Sequence, residues 1–251
     1  MRVCAYVQAM TDTDRLFILE DVWKTRTSGP GYALHIPQLR IARGETVALT
    51  GPSGSGKSTA LDILGMALRP DRAARFVLDA GNGHTDVAAC WRAGDQNTLA
   101  SLRLNTMGYV LQTGGLLPFL SARDNMELTA RLNGAPDTRE YVEHLAAVLG
   151  IERLLDSMPG TLSVGERQRV AIGRALASRP AVILADEPTA ALDPRHAAAV
   201  LDIFLESVRA MRVTLIMVTH DQDIVKERGL KELNISVMSE KSGLSKAVLE
   251  G

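Results

Sequence analysis

Eight consecutive residues, Gly51, Pro52, Ser53, Gly54, Ser55, Gly56, Lys57 and Ser58, carry the spacing GxxxxGK[ST]. Glycines there let main-chain amides wrap an anion without Cβ clashes, and a helix starting behind them turns its positive end toward it. Lys57 supplies a mobile cation for terminal phosphates, and the Ser58 hydroxyl, followed by Thr59, suits Mg2+. Farther along, an apolar run over 182–185 ends in two adjacent carboxylates, Asp186 and Glu187. Asp186 at a strand end can hold Mg2+ through water. Glu187 can then deprotonate or orient an attacking water. These residues imply a nucleotide site equipped to cleave a phosphoanhydride.

Such groups must be held by elements the sequence also announces. Apolar stretches at 16–22, 34–39, 46–50, 76–78, 107–111, 182–184 and 213–219 read as strands. Helical periodicity covers 59–68, 165–178 and 195–211, with Pro180 closing the second. Alternating strands and helices predict an α/β fold with a largely parallel sheet. The stretch 113–175 carries no convincing strand and reads as an inserted helical subdomain. The stretch between Arg69 and Gln112, which includes the polar segments 80–86 and 91–95, reads as an enlarged surface loop.

Composition narrows the class. The chain has 251 residues, 46% hydrophobic and 23% charged, which excludes disorder for its bulk. A net charge of −1 and 4% aromatics supply neither the basic field nor the stacking platform of a nucleic-acid binder, so no nucleic acid is expected. No apolar run approaches the roughly 18–20 residues of a membrane span, and the N-terminus lacks a signal-peptide pattern, so a cytoplasmic location is expected. Cys4 and Cys90 lack metal-ligand spacing and read as reduced thiols. Met10 opens a stretch that reads like a natural start.

The segment Leu162-Ser163-Val164-Gly165-Glu166-Arg167-Gln168-Arg169-Val170-Ala171-Ile172 resembles the signature motif of ABC (ATP-binding cassette) ATPases. Gln112, Ala191-Leu192-Asp193 and His220 match that family's Q-loop, D-loop and switch histidine, in order. Residues 107–112, 116–125 and 186–193 are similar to the lipoprotein-releasing and macrolide-export ATPases within it.

The resemblance implies a P-loop NTPase cassette: a RecA-like core sheet, an antiparallel β subdomain and a helical insertion. The cassette would span 16–239, with the core and β subdomain at 16–112 and 176–239 and the helical subdomain at 113–175. Residues 1–15 would form an extension and 240–251 a tail. It further implies ATP and Mg2+ as ligands and a head-to-tail homodimer. Ser163, Gly165 and Glu166 would meet the nucleotide of the second cassette, and Asp193 would bridge the two sites. Gln112 would reach Mg2+ beside Ser58 and Asp186. Glu187, His220 and Lys57 would carry hydrolysis. A separate membrane subunit would dock near residues 112–120, holding the chain on the inner face of the membrane.

Two positions depart from the family pattern. Val164 stands where glycine is usual, placing a stiff β-branched side chain beside a helix start. Arg26 stands where an aromatic ring usually stacks on adenine; a guanidinium can do so, and Trp23 or Tyr32 are alternatives. A regulatory ATPase signalling through a membrane partner without cargo, and a soluble ATPase acting on nucleic acid, are the alternative functions.

Overall fold

The computed structural model describes residues 14–26, 32–81, 83–134, 138–239 and 245–250. The possible start at Met10 therefore lies outside the described residues. Strands β1 (Arg15–Arg26) and β2 (Tyr32–Ala42) form a long antiparallel ribbon, with β4 (Arg72–Asp79) and β5 (His84–Asp86) extending it. A parallel sheet is built from β3 (Thr46–Thr50), β6 (Met107–Val110), β7 (Val182–Asp186), β8 (Thr214–Val218) and β9 (Lys231–Ser239). Strand β10 (Ser245–Glu250) pairs antiparallel with β9 and parallel with β2, joining both parts into one sheet ordered β5-β4-β1-β2-β10-β9-β3-β8-β7-β6.

Side chains alternate across the parallel strands because their period is two. Val47, Leu49, Val182, Leu184, Ile216 and Val218 face one core, packed with Ala60, Leu61, Ile63 and Leu64 of helix α1 (Lys57–Leu64). Ala48, Ile183, Ala185, Leu215 and Met217 face the other. That second core is filled from α6 (Val164–Ala177) by Val170, Ile172 and Leu176, and from α7 (Pro194–Ala210) by Phe204, Leu205 and Val208. Burial on both faces explains why these strands are almost uniformly apolar.

Between β6 and β7 the described residues form no strand. They contain α4 (Ala122–Leu132), α5 (Arg139–Val148) and α6, with α4 and α5 packed on α6.

Two expectations give way. The polar stretch read as an enlarged loop holds α2 (Val87–Ala93) and α3 (Gln96–Thr106), whose first turns are capped by the carboxylates of Asp86 and Asp95. Trp91 and Leu99 anchor these helices in the core. The expected tail over 240–251 contains β10, which gains a ladder on both sides. Helix α8 (Gln222–Glu227) was not foreseen either.

Candidate functional site

Parallel pairing brings four strand ends into one line. Leu49 and Asp186 both pair with Val218, and Val110 pairs with Ala185. The turns that leave β3, β7, β8 and β6 therefore open at one edge, where ligands of α/β sheets collect. The glycine-rich loop leaves β3, Glu187 follows β7, His220 follows β8 and Gln112 follows β6.

The loop needs its glycines. A Cβ on Gly51 would fall 2.6 Å from the Ile235 carbonyl oxygen, and Gly56, at φ 99°, would meet the Tyr32 ring at 3.1 Å. Lys57 is buried and donates from Nζ to the carbonyls of Gly51 and Pro52, each at 2.9 Å. The Ser55 hydroxyl is buried without a partner. A cation poised on main-chain oxygens, an orphaned hydroxyl and a helix start behind them fit a phosphate chain.

Ser58 Oγ donates to Asp186 Oδ1 at 3.4 Å. These hard oxygens fit Mg2+, which prefers a few oxygen ligands plus water. Burial pushes the Asp186 carboxyl above the ordinary value of 3.8; the Ser58 hydrogen bond opposes this, the adjacent Glu187 charge adds to it, and Lys57 opposes it. Glu187 sits in a left-handed conformation (φ 45°) and donates its N–H to Val218 O at 3.1 Å. Its two oxygens lie 3.3 Å from His220 Nδ1 and 3.5 Å from Gln112 Nε2. One carboxylate thus joins the groups that leave three strands.

Ser163 caps α6. Its hydroxyl accepts from Glu166 N at 3.3 Å, while Ser163 N donates to Glu166 Oε2 at 2.7 Å. The Ser163 N–H holds the Glu166 carboxyl below its ordinary range, and the hydroxyl adds to this. Val164 is exposed and Gly165 follows it in the first turn. Among the described residues no hydrogen bond or ion pair links Ser163 to the glycine-rich loop. Asp193 caps α7 and pairs with His196 Nδ1 at 2.6 Å, which lowers its pKa.

Two of the residues offered for the adenine contact, Arg26 and Tyr32, pair with each other at one end of the β1–β2 ribbon. The Tyr32 hydroxyl lies 2.5 Å from Thr59 Oγ1, against the glycine-rich loop. The Arg26 Nε is buried without a partner among the described residues. Trp23 is engaged elsewhere: it stacks on His35 at 3.8 Å with Lys246 on its ring.

Three residues the sequence reading gave no task hold the Gln112 segment. Gln168 donates to Leu111 O at 3.2 Å, and Arg174 donates to the carbonyls of Gly114 and Gly115, each at 2.8 Å. Asn125, fully buried, bonds Leu117 through both N–H and carbonyl and also holds Leu120 and Ser121. Gln168 and Arg174 lie on α6, so the helix that Ser163 caps also grips the segment after β6.

The ABC transporter family pattern matches residues 34–190. The chain belongs to the ABC transporter ATP-binding family. Its activity is ATP hydrolysis, with Mg2+ as the usual cofactor. The cassette is 39% identical to the lipoprotein-releasing system ATP-binding protein LolD of Anaeromyxobacter dehalogenans, over 81% of this chain and 83% of that one. It is 41% identical to the macrolide export ATP-binding/permease protein MacB of Marinobacter nauticus over 84% of this chain. It spans about a third of MacB (32%), and less than half (45%) of a relative from Mycoplasma pneumoniae. The dimeric ATP-binding cassette MJ0796, solved with ADP and Pi, superposes with a TM-score of 0.68 at 32% identity, covering 87% of this chain and 93% of that one. Among the described residues no helix is long and apolar enough to cross a membrane.

Proposed function

We propose that this chain is the ATP-hydrolysing cassette of a membrane complex, working in pairs and driving a separate membrane subunit of the lipoprotein-release or macrolide-export kind. The observation that carries this reading is the division of the site. Lys57, Ser58, Asp186, Glu187, His220 and Gln112 gather at one sheet edge, while Ser163 stands apart from them at the start of α6. A second copy supplying Ser163 and Gly165 completes the site, in keeping with the dimeric MJ0796.

In this arrangement loop residues 51–58, with Thr59, bind the triphosphate and Lys57 neutralises its terminal oxygens. Ser58, Asp186 and Gln112 hold Mg2+, which supplies charge neutralisation on the phosphate oxygens. Glu187 takes the proton of the attacking water, and His220 holds that water and the terminal phosphate in line. Asp193 reaches across the pair. Arg26 and Tyr32 border the adenine. The subdomain boundaries follow the same plan, with β10 added to the core: core at 16–112 and from 176 through β10, helical part at 113–175.

Coupling runs through Gln168 and Arg174, which tie α6 to the chain on either side of Gln112. In that segment Phe119 is 71% exposed, an apolar contact for a membrane subunit. The chain would therefore sit on the inner membrane face through its partner.

The test is a pull-down of tagged Glu187→Gln protein from detergent-solubilised native membranes with ATP, followed by mass spectrometry. The expected result is a paired cassette carrying a membrane subunit with a large periplasmic part. Recovery of soluble or nucleic-acid-bound proteins alone would overturn the reading.

A further inference from the structure

Beyond the C-terminal end of α1 the chain turns through Arg69, Pro70 and Asp71 into β4, and α2 packs on β4. Turn, strand and helix enclose a cavity of about 250 Å3 rimmed by Arg69, Arg72 and Arg92 with one carboxylate, Asp71. That carboxylate is already engaged: it accepts from Lys24 Nζ and from Thr25 N, both at 2.7 Å. Arg72 and Arg92 reach Asp21 and Asp86 at 2.8 and 3.7 Å, but their side chains are 72% and 62% exposed, so these pairs exchange readily. Arg69 is exposed and makes no ion pair among the described residues. Trp91 also lines the cavity; it is 7% exposed, and its indole N–H has no acceptor.

Three guanidinium groups around one cavity, on a chain of net charge −1, concentrate positive charge where a planar donor fork matches phosphate oxygens. We infer that this cavity binds a phosphate group, and that its source is the headgroup of an acidic phospholipid. The choice of source rests on the membrane docking proposed above. An apolar groove of about 500 Å3 begins at Gly65 and Ala67, two residues before Arg69, and is also lined by Arg174, the residue that grips the segment after Gln112. The arginine-rimmed cavity thus follows that groove along the chain, and Arg174 links the groove to the segment after Gln112.

The experiment uses the full chain with saturating ADP and Mg2+, so that the glycine-rich loop is filled. Flotation is measured with phosphatidylcholine vesicles, with and without phosphatidylglycerol, at fixed salt. Inorganic phosphate is titrated in parallel and followed by Trp91 fluorescence in a Trp23→Phe background. The expected result is capture by the acidic vesicles only. Arg69→Ala and Arg92→Ala should each weaken capture about fivefold, while exposed Arg153→Ala and the ATPase rate stay unchanged. Phosphate binding lost in the same two variants, without vesicle capture, would keep the anion site and overturn the lipid source. Binding of neither probe, or equal weakening by Arg153→Ala, would overturn the inference. If it fails while Glu187→Gln still recovers a membrane subunit, the proposed function stands.

Discussion

Ser163 has two tasks in the arrangement described above, and they can be separated by substitution. In the single chain it is a helix cap. Ser163→Ala removes the hydroxyl that accepts from Glu166 N at 3.3 Å, but leaves the main-chain N–H that donates to Glu166 Oε2 at 2.7 Å. Half of the reciprocal cap survives, so the cost should sit near the middle of the usual range, about 1 kcal/mol. For a chain of this length that lowers Tm by about 2–4 °C. In the paired cassette the same hydroxyl would meet the terminal phosphate. Losing a hydrogen bond to a charged group costs about 1.5–3 kcal/mol, which lowers kcat/KM roughly 10- to 150-fold. Ser163→Thr keeps cap and hydroxyl, and should approach the parent in both measurements. Ser163→Asn keeps the cap but not the hydroxyl; Tm should recover while turnover stays low. Thermal melts and steady-state phosphate release on the same three preparations provide the comparison. If activity follows Tm across the series, with Ser163→Asn recovering both, Ser163 acts on its own helix alone and the shared-site reasoning is wrong.

Three further outcomes are expected. Because burial raises the Asp186 pKa, the neutral acid favours the folded state; that contribution is full below 3.8 and is lost as pH rises through the raised value. Asp186→Asn should therefore raise the Tm of metal-free protein at neutral pH by about 1–2 °C, less on acidification, while abolishing Mg2+-dependent hydrolysis. A lower Tm at neutral pH would contradict the burial argument. Gly108→Ala would set a Cβ 2.6 Å from the Ala175 carbonyl oxygen, between β6 and α6. Relief by backbone movement costs about 1–3 kcal/mol, seen as a Tm loss of several degrees in a thermal melt. Val164→Gly, in a Glu187→Gln background, should raise the dimer fraction eluting with ATP on gel filtration. Unchanged elution would mean that the exposed valine clears the partner.

The edge that gathers the candidate site was legible because each of its groups follows a short apolar strand, and a strand end is a local signal. Asp186 and Glu187 after residues 182–185, and His220 after β8, could be placed without knowing the sheet order. The two short helices at 87–106 were hidden for the opposite reason. Their caps, Asp86 and Asp95, also read as turn residues, and α3 buries only Leu99 and Thr106. The grip of Arg174 and Gln168 on the Gln112 segment spans about 60 residues of chain, so no local pattern announces it. Trp23 shows how residue type misleads: its ring suits adenine, but β1–β2 pairing sets it opposite His35, which takes its face.

Strand β10 also governs when the molecule can be finished. A ribosome releases β1 and β2 early, and they can pair at once as a ribbon. Their union with the parallel sheet waits for residues 245–250, synthesised about 200 residues later, a delay of roughly 10–40 s at 5–20 residues per second. During that interval the nascent chain carries a bare edge on β2, joined at its close by one on β9, each with unpaired amides and carbonyls. Strand β10 is therefore the piece that seals the sheet, and a chain lacking residues 245–250 would keep an open edge on both β2 and β9.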